Sequence, residues 1–378
     1  MKKFIALLLA LLMVLALCAC GTASTVEPAA EDSAPAEEAA PAEKVEEVVE
    51  EAPEEEPAEE VEPLTVIFNC SYGETETGGV LAQYFADKCA EYSGGAINVR
   101  ISFGETLFTA SDQLAAVSDG SINMCELAHG QHAASLPLLC SFPDYAPESQ
   151  QNAVDYFNYM LRDNEETAAI LQAETDSLGI KFLNVTAGGG NCFVANFDFE
   201  SLTDMIDKST SFANVLGDKF VTLGFKNVVM VFPWDYYSSF ETGLMDSTQM
   251  ASTPMISMGI PEVAKCWMYD GTYSAGNFFT VNLDWWNGLS DAQRDAIQKA
   301  ADDVADYSVS YYVDAIAQEV AQLEESGCTV VEMTEEDFAK WWDAVLTSNE
   351  KEALANGEQN GNLEAVQTLL AAVAEFTA

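Results

Sequence analysis

His129 and His132 are the only histidines among 378 residues, and Gly130 and Gln131 stand between them. A zinc peptidase of the HExxH type needs its two ligands four apart with a glutamate after the first, so this pair does not supply that chemistry. Histidines of a surface or cleft are the reading the spacing supports. Gly188-Gly189-Gly190 lacks the following Lys-Ser/Thr of a phosphate loop and is expected to form a hinge or turn. No GxSxG elbow occurs. Cys70, Cys89, Cys125, Cys140, Cys192, Cys266 and Cys328 are odd in number and show no CxxC spacing, so buried thiols are expected rather than a disulfide framework or zinc site. The chain reads as a binder rather than an enzyme, with no cofactor and no metal.

The elements around these residues alternate in type. Leu64–Phe68 has strand length, and Val80, Leu81, Tyr84, Phe85, Cys89 and Tyr92 recur at helical spacing. Ile97, Val99, Ile101 and Phe103 then alternate with polar residues after the Gly94-Gly95 turn, which predicts a strand. A helix over about 111–119 is stopped by Gly120, and a strand follows near Ile122–Met124. Further on, Lys181–Val185 predicts a strand, Val215–Leu223 a helix and Val228–Phe232 another strand. The fold class is therefore α/β. Ser290, with Gln293 three residues on, makes a capping box for a helix whose apolar face runs to about Leu323. Such a helix is long enough to run along two lobes.

Outside this region the sequence is of another kind. Met1-Lys2-Lys3, the apolar run Phe4–Leu17 and the small-residue site before Cys20-Gly21 read as a secretory signal with a lipobox-like end. The run is shorter than the roughly 20 residues of a membrane span. Cys20, preceded by Ala19 and with Leu17 three residues back, is the expected lipidation site. Residues 21–63 are almost entirely Ala, Glu, Pro, Val and Ser, with no aromatic residue, and are expected to be a disordered acidic tether. The net charge of −47 and the absence of any Lys/Arg cluster argue against nucleic acid or anionic lipid as partners. After the tether about 315 residues remain, enough for two lobes. The expected environment is the outer face of the cytoplasmic membrane, in a cell without an outer membrane.

Four stretches, in order, resemble the solute receptors of tripartite ATP-independent periplasmic (TRAP) transporters, the C4-dicarboxylate-type family. They are Gln113–Met124, Leu138–Tyr145 with Phe142-Pro143, Phe232–Tyr237 with Thr242–Asp246, and Val281–Ser290 continuing through Gln293 to Ala301. The last is the most specific, joining a strand, Trp285 and a capped helix in one run. The resemblance implies a two-lobed periplasmic-binding fold with crossing strands and a long bridging helix, closing on one small organic solute and delivering it to a permease. It divides the chain into lobe 1, 64–187 plus about 273–313, and lobe 2, 188–272 plus about 314–378. A monomer is expected.

The resemblance also implies binding residues, and here the chain departs from the family. A carboxylate-binding Arg would fall at Ser211 or Ser209, with Lys208 as the nearest cation, and a second Arg would fall at Cys192. The acceptor or donor that ends the family's Asp-Gly-x-x-Asn segment would fall near Met250. Loss of both guanidinium forks removes the bidentate clamp for a diacid. Tyr72, Phe108, Phe193, Trp234, Tyr236 and Tyr237, with Glu126 and His129, are left near the implied cleft. Stacking faces beside an acid suit a neutral, aromatic or amine-bearing solute.

Overall fold

The computed structural model describes residues 61–211 and 217–377. The signal sequence, Cys20 and all but the end of the expected tether lie outside the described residues.

Strands and helices alternate from the start: β1 (Leu64–Asn69), helix Thr77–Tyr92, β2 (Ile97–Ser102), helix Gln113–Ser118 and β3 (Met124–Leu127). β4 (Tyr145–Pro147) and helices Gln150–Asn158 and Glu165–Ser177 lead into the long β5 (Ile180–Ala195). The second half carries β6 (Ser209–Ser211), helix Gly217–Thr222, β7 (Asn227–Val229), helix Tyr236–Thr242, β8 (Ser247–Ala251) and helix Ser252–Ser257. β9 (Cys266–Asn282), helices Leu283–Asn287 and Asp291–Glu325, β10 (Thr329–Glu332) and helices Glu335–Asn360 and Leu363–Phe376 complete it.

The ten strands among the described residues belong to one sheet of order β2-β1-β3-β9-β5-β8-β6-β7, with β10 and β4 also on β9. β5 and β9 are the shared members, antiparallel from Ile180↔Asn282 to Ala195↔Cys266. The C-terminal part of β9 pairs with β3, and its N-terminal part pairs with β10. Two strands thus cross between two lobes. Register shifts between Val185 and Cys192 mark the crossing, and Gly188-Gly189-Gly190 lies inside it. The glycines form no turn. A Cβ on Gly188 would stand 2.6 Å from the Ser274 carbonyl oxygen, and one on Gly276 would stand 2.3 Å from Thr186 Oγ1. The strands approach too closely there for side chains.

Strand alternation explains the cores. In lobe 1, adjacent Phe278 and Phe279 point to opposite faces: Phe278 joins Leu127, Tyr156 and Phe157, whereas Phe279 joins Phe68, Phe85 and Ile297. In lobe 2, Cys192 packs with Tyr236, Trp267 and Leu323 on one face, and Phe193 with Phe220 and Trp341 on the other. Leu363–Phe376, expected in lobe 2, instead sends Leu369, Ala372 and Val373 into the core with Tyr156 and Phe157. Its apolar stripe is covered by lobe 1, so the chain returns there at its end.

Helix Asp291–Glu325 spans 35 residues, about 50 Å at 1.5 Å per residue. Ser290 and Gln293 cap it reciprocally, at 3.2 and 3.0 Å. Ile297 and Val304 pack in lobe 1, Ala305 packs against Ala187 at the crossing, and Leu323 packs in lobe 2. Ser308 Oγ accepts from the buried Ala187 N–H at 2.7 Å. Glu319 accepts from Ser252 and Thr253 at 2.5 and 2.6 Å, which ties the helix to lobe 2.

Candidate functional site

A cavity of about 930 Å³ lies where the lobes face each other across the crossing strands. Lobe 1 contributes Tyr72, Glu76 and Gly78 from the segment after β1, Glu126, His129 and Gln131 at the end of β3, and Asp144 before β4. The crossing strands supply Thr186, Gly188 and Gly189 on one side and Ser274, Gly276 and Asn277 on the other. Lobe 2 adds Thr253, Pro254, Ser257 and Met258, and Tyr312 reaches in from the bridging helix.

Three carboxylates, Glu76, Glu126 and Asp144, stand in this wall, and none of its described lining residues is a lysine or arginine. Glu126 is 2% exposed. Cys70 Sγ donates to its Oε1 at 2.8 Å. Burial pushes the Glu126 carboxyl up to about 7, against the opposing pull of Cys70, the backbone N–H groups of Tyr72 and Ser71 and the Asn277 side chain. His129, 7% exposed, sits edge-on to Phe157 and Phe278. Burial lowers its pKa against the opposing charge of Asp144, so the ring is neutral at neutral pH. Gly78 gives the Tyr72 ring its place: a Cβ there would fall 2.1 Å from the ring.

Of the residues singled out from sequence, Tyr72, Glu126 and His129 come together in this wall. The others lie elsewhere. Cys192 and Phe193 are buried on opposite faces of β5 because both faces of the lobe 2 sheet are covered. Met250, opposite Cys192, accepts its thiol at 3.7 Å through the carbonyl oxygen. Ser211 is buried in β6, its Oγ accepting from Val231 N–H at 3.0 Å, and the Ser209 N–H donates to Asp246 at 3.0 Å. Lys208 is exposed, with Nζ 4.6 Å from the centre of the Phe197 ring. Tyr236 is core, Tyr237 bonds Glu262 at 2.9 Å, and Phe108 packs against the lobe 1 core. Trp234 is 74% exposed and stacks on Phe232 at 4.7 Å. The three arginines are engaged or remote: Arg162 pairs with Asp302 at 3.2 Å, Arg294 donates to the Leu289 carbonyl, and Arg100 is exposed on β2.

Sequence reasoning missed Glu76, Asp144, Thr186, Thr253, Asn277 and Tyr312. Thr186 and Asn277 become neighbours only through the pairing of β5 with β9, about 90 residues apart in sequence, and the other four come from separate elements, an arrangement that no local pattern encodes. The glycine run at 188–190 was the available signal, since glycine inside a strand marks a close backbone approach. Six of the seven cysteines described are buried and Cys140 is half-buried, all as free thiols. Among the described residues no group of three or more His, Cys, Asp or Glu side chains is placed to hold a metal ion. No helix among them is long and apolar enough to cross a membrane.

Two α/β lobes, two crossing strands, a bridging helix and an interlobe cavity define an extracytoplasmic solute-binding protein. The chain belongs to the bacterial extracellular solute-binding proteins of family 7 (DctP), whose model matches residues 68–353. It is a receptor of the TRAP type. It is 24% identical over 302 residues to the C4-dicarboxylate-binding periplasmic protein DctP of Rhodobacter capsulatus, covering 76% of this chain and 85% of the relative. An apo, open TRAP periplasmic solute binding protein from Rhodobacter sphaeroides superposes with TM-score 0.69 at 17% identity, covering 82% of this chain and 99% of that one. Another, from Desulfovibrio desulfuricans with bound sn-glycerol-3-phosphate, gives TM-score 0.64 at 16% identity, covering 83% and 98%.

Proposed function

We propose that this receptor captures a small organic solute lacking an anchoring carboxylate in the interlobe cavity and hands it to a TRAP permease without chemical change. The observation that carries this reading is the cavity wall, with Glu76, Glu126 and Asp144 and no lysine or arginine. A diacid in such a wall would meet like charge where no guanidinium fork compensates it. Tyr72, Glu126 and His129 form its lobe 1 contacts, and Asn277, Thr253 and Tyr312 come from the crossing strands, lobe 2 and the bridging helix.

The remaining parts follow from the sequence. Residues 1–20 export the chain, lipid on Cys20 anchors it, and residues 21–63 give the receptor reach from the membrane. Radiolabelled palmitate incorporated in the parent and lost in Cys20→Ala is the expected result; label persisting in the variant would move or remove the anchor. For capture, a thermal-shift screen of the purified chain against a metabolite panel is the direct test, because a ligand bound only by the folded state raises Tm. Stabilisation by succinate or malate above all other compounds would contradict the ligand assignment.

A further inference from the structure

We infer that the solute taken by this cavity is an organic cation, with its ammonium group held against Glu126 and the wider carboxylate wall of lobe 1. This rests on the reading of the cavity as the capture site and names the ligand class for it. The first ground is a charge without a partner. Glu126 is almost fully buried, it lines the cavity, and among the described residues no lysine or arginine pairs with it. Leaving a charge buried and unpaired is costly, and proteins retain such groups where function needs them. A ligand cation supplies the missing partner.

The second ground is an excess of acceptors. His129 lines the same wall, is 7% exposed, and its ring nitrogens make no hydrogen bond within the described residues. A neutral imidazole offers one acceptor nitrogen and Glu76 offers carboxylate oxygens, while the charge of Asp144 is shared with the buried Lys219 ammonium. Such a wall is matched by a ligand rich in N–H donors. Tyr72 and Tyr312 add ring faces, on which cations are favoured. The N-terminal end of helix Thr77–Tyr92 also opens here, and a bare helix end would favour an anion. Glu76 occupies that end, its carboxylate accepting from Gly73 N–H at 2.7 Å, so negative charge is already in place.

Titration supplies an independent readout. The groups around Glu126 are Cys70 and Tyr72 after β1, Glu76 at the helix start, Cys125 on its own strand and Tyr312 on the bridging helix. The thiols and phenols are pushed up and stay neutral below pH 8, and His129 and His132 are pushed down. Glu126, at about 7, changes charge between pH 6 and 8, and the thiols and phenols around it do not. Cation affinity should be roughly tenfold weaker at pH 6 than at pH 8.

The test is capture from a bacterial metabolite extract by the full chain at pH 8, with the retained compound identified by mass spectrometry and its charge read from ion-exchange behaviour. Its affinity is then measured at pH 6 and 8 in the parent, Glu126→Gln and the exposed-site variant Glu76→Gln. The expected result is a protonated amine that keeps its N–H donors, weaker at pH 6 and bound at least tenfold less tightly by Glu126→Gln; if that variant does not fold, a loss in Glu76→Gln carries the same meaning. A retained anion or neutral compound overturns the cation assignment and leaves the receptor reading standing. If nothing is retained, the capture site itself is overturned.

Discussion

Cys70 Sγ and Glu126 Oε1 lie 2.8 Å apart in the wall of the interlobe cavity, the thiol donating to a carboxyl that is 2% exposed. The thiol is a weak donor, and even with the Tyr72 and Ser71 N–H groups and the Asn277 side chain beside it, burial outweighs the hydrogen bonds to the carboxylate. The charge therefore weighs on the free receptor.

That weight has a defined pH dependence. The folded-state pKa of Glu126 is raised from 4.5 to about 7 by burial, so between these values the native state holds a proton that the unfolded chain has released. Stability falls as pH rises through this window and is constant above it, by on the order of 3 kcal/mol at about 1.4 kcal/mol per pH unit. Glu126→Gln is expected to make the ligand-free stability profile shallower between pH 5 and 8, with the part owed to buried Asp270, raised to about 6, remaining, and to be the more stable protein at pH 8. Denaturant unfolding at the two pH values measures it; a variant with the parent's pH slope would contradict the assignment.

The crossing strands make opposite predictions for neighbouring glycines. A Cβ on Gly276 would meet Thr186 Oγ1 at 2.3 Å and the Ala187 carbonyl oxygen at 2.5 Å, whereas on Gly189 the nearest atom is Thr253 Oγ1 at 3.5 Å. Gly276→Ala should cost about 2 kcal/mol or more through backbone displacement. Gly189→Ala should stay within about 0.5 kcal/mol. Equal Tm values for the two variants would show that the strands do not cross this closely.

Ser308 gives a test of the bridging helix. Its hydroxyl accepts the Ala187 N–H at 2.7 Å and donates to the Ala305 carbonyl at 2.6 Å, in a fully buried position. Ser308→Ala leaves a buried N–H unpaired and is expected to destabilise by about 1–3 kcal/mol. Hydrogen exchange should quicken at the Ala187 amide. Unchanged protection there would remove the contact from the account.

The helix start was fully legible from sequence, and its cap can be tested too. Ser290→Ala breaks the reciprocal bonds with Gln293 and is expected to cost about 1 kcal/mol. Chemical denaturation reads this; a neutral substitution would mean the first turn is held by packing alone.

What the sequence disclosed follows from the range of the interactions involved. Ser290 and Gln293 define a local cap, and the alternation at Ile97–Phe103 defines a local face, so both elements were readable. The extent of β5 was not, because Lys181–Val185 reads as a short strand and the three glycines after it lack side chains to signal one. β9 crosses back beside them, and that pairing makes the whole stretch Ile180–Ala195 a strand. The same cause separates the site residues. Glu126 lies on, and His129 just after, a strand that was visible in sequence, whereas Cys192 and Phe193 were placed by likeness to a family whose side chains differ here. In this chain those positions fill two cores.

The central claim is that the solute binds in the cavity between the lobes, beside Gly189. Native mass spectrometry of the full chain after exposure to a bacterial metabolite extract tests it most directly, with Gly189→Trp as the comparison because that side chain would project toward Thr253 and Tyr312 in the cavity. The account predicts one small-molecule adduct on the parent and none on a folded Gly189→Trp variant. An adduct of the same mass and occupancy on both would place the solute elsewhere and contradict it.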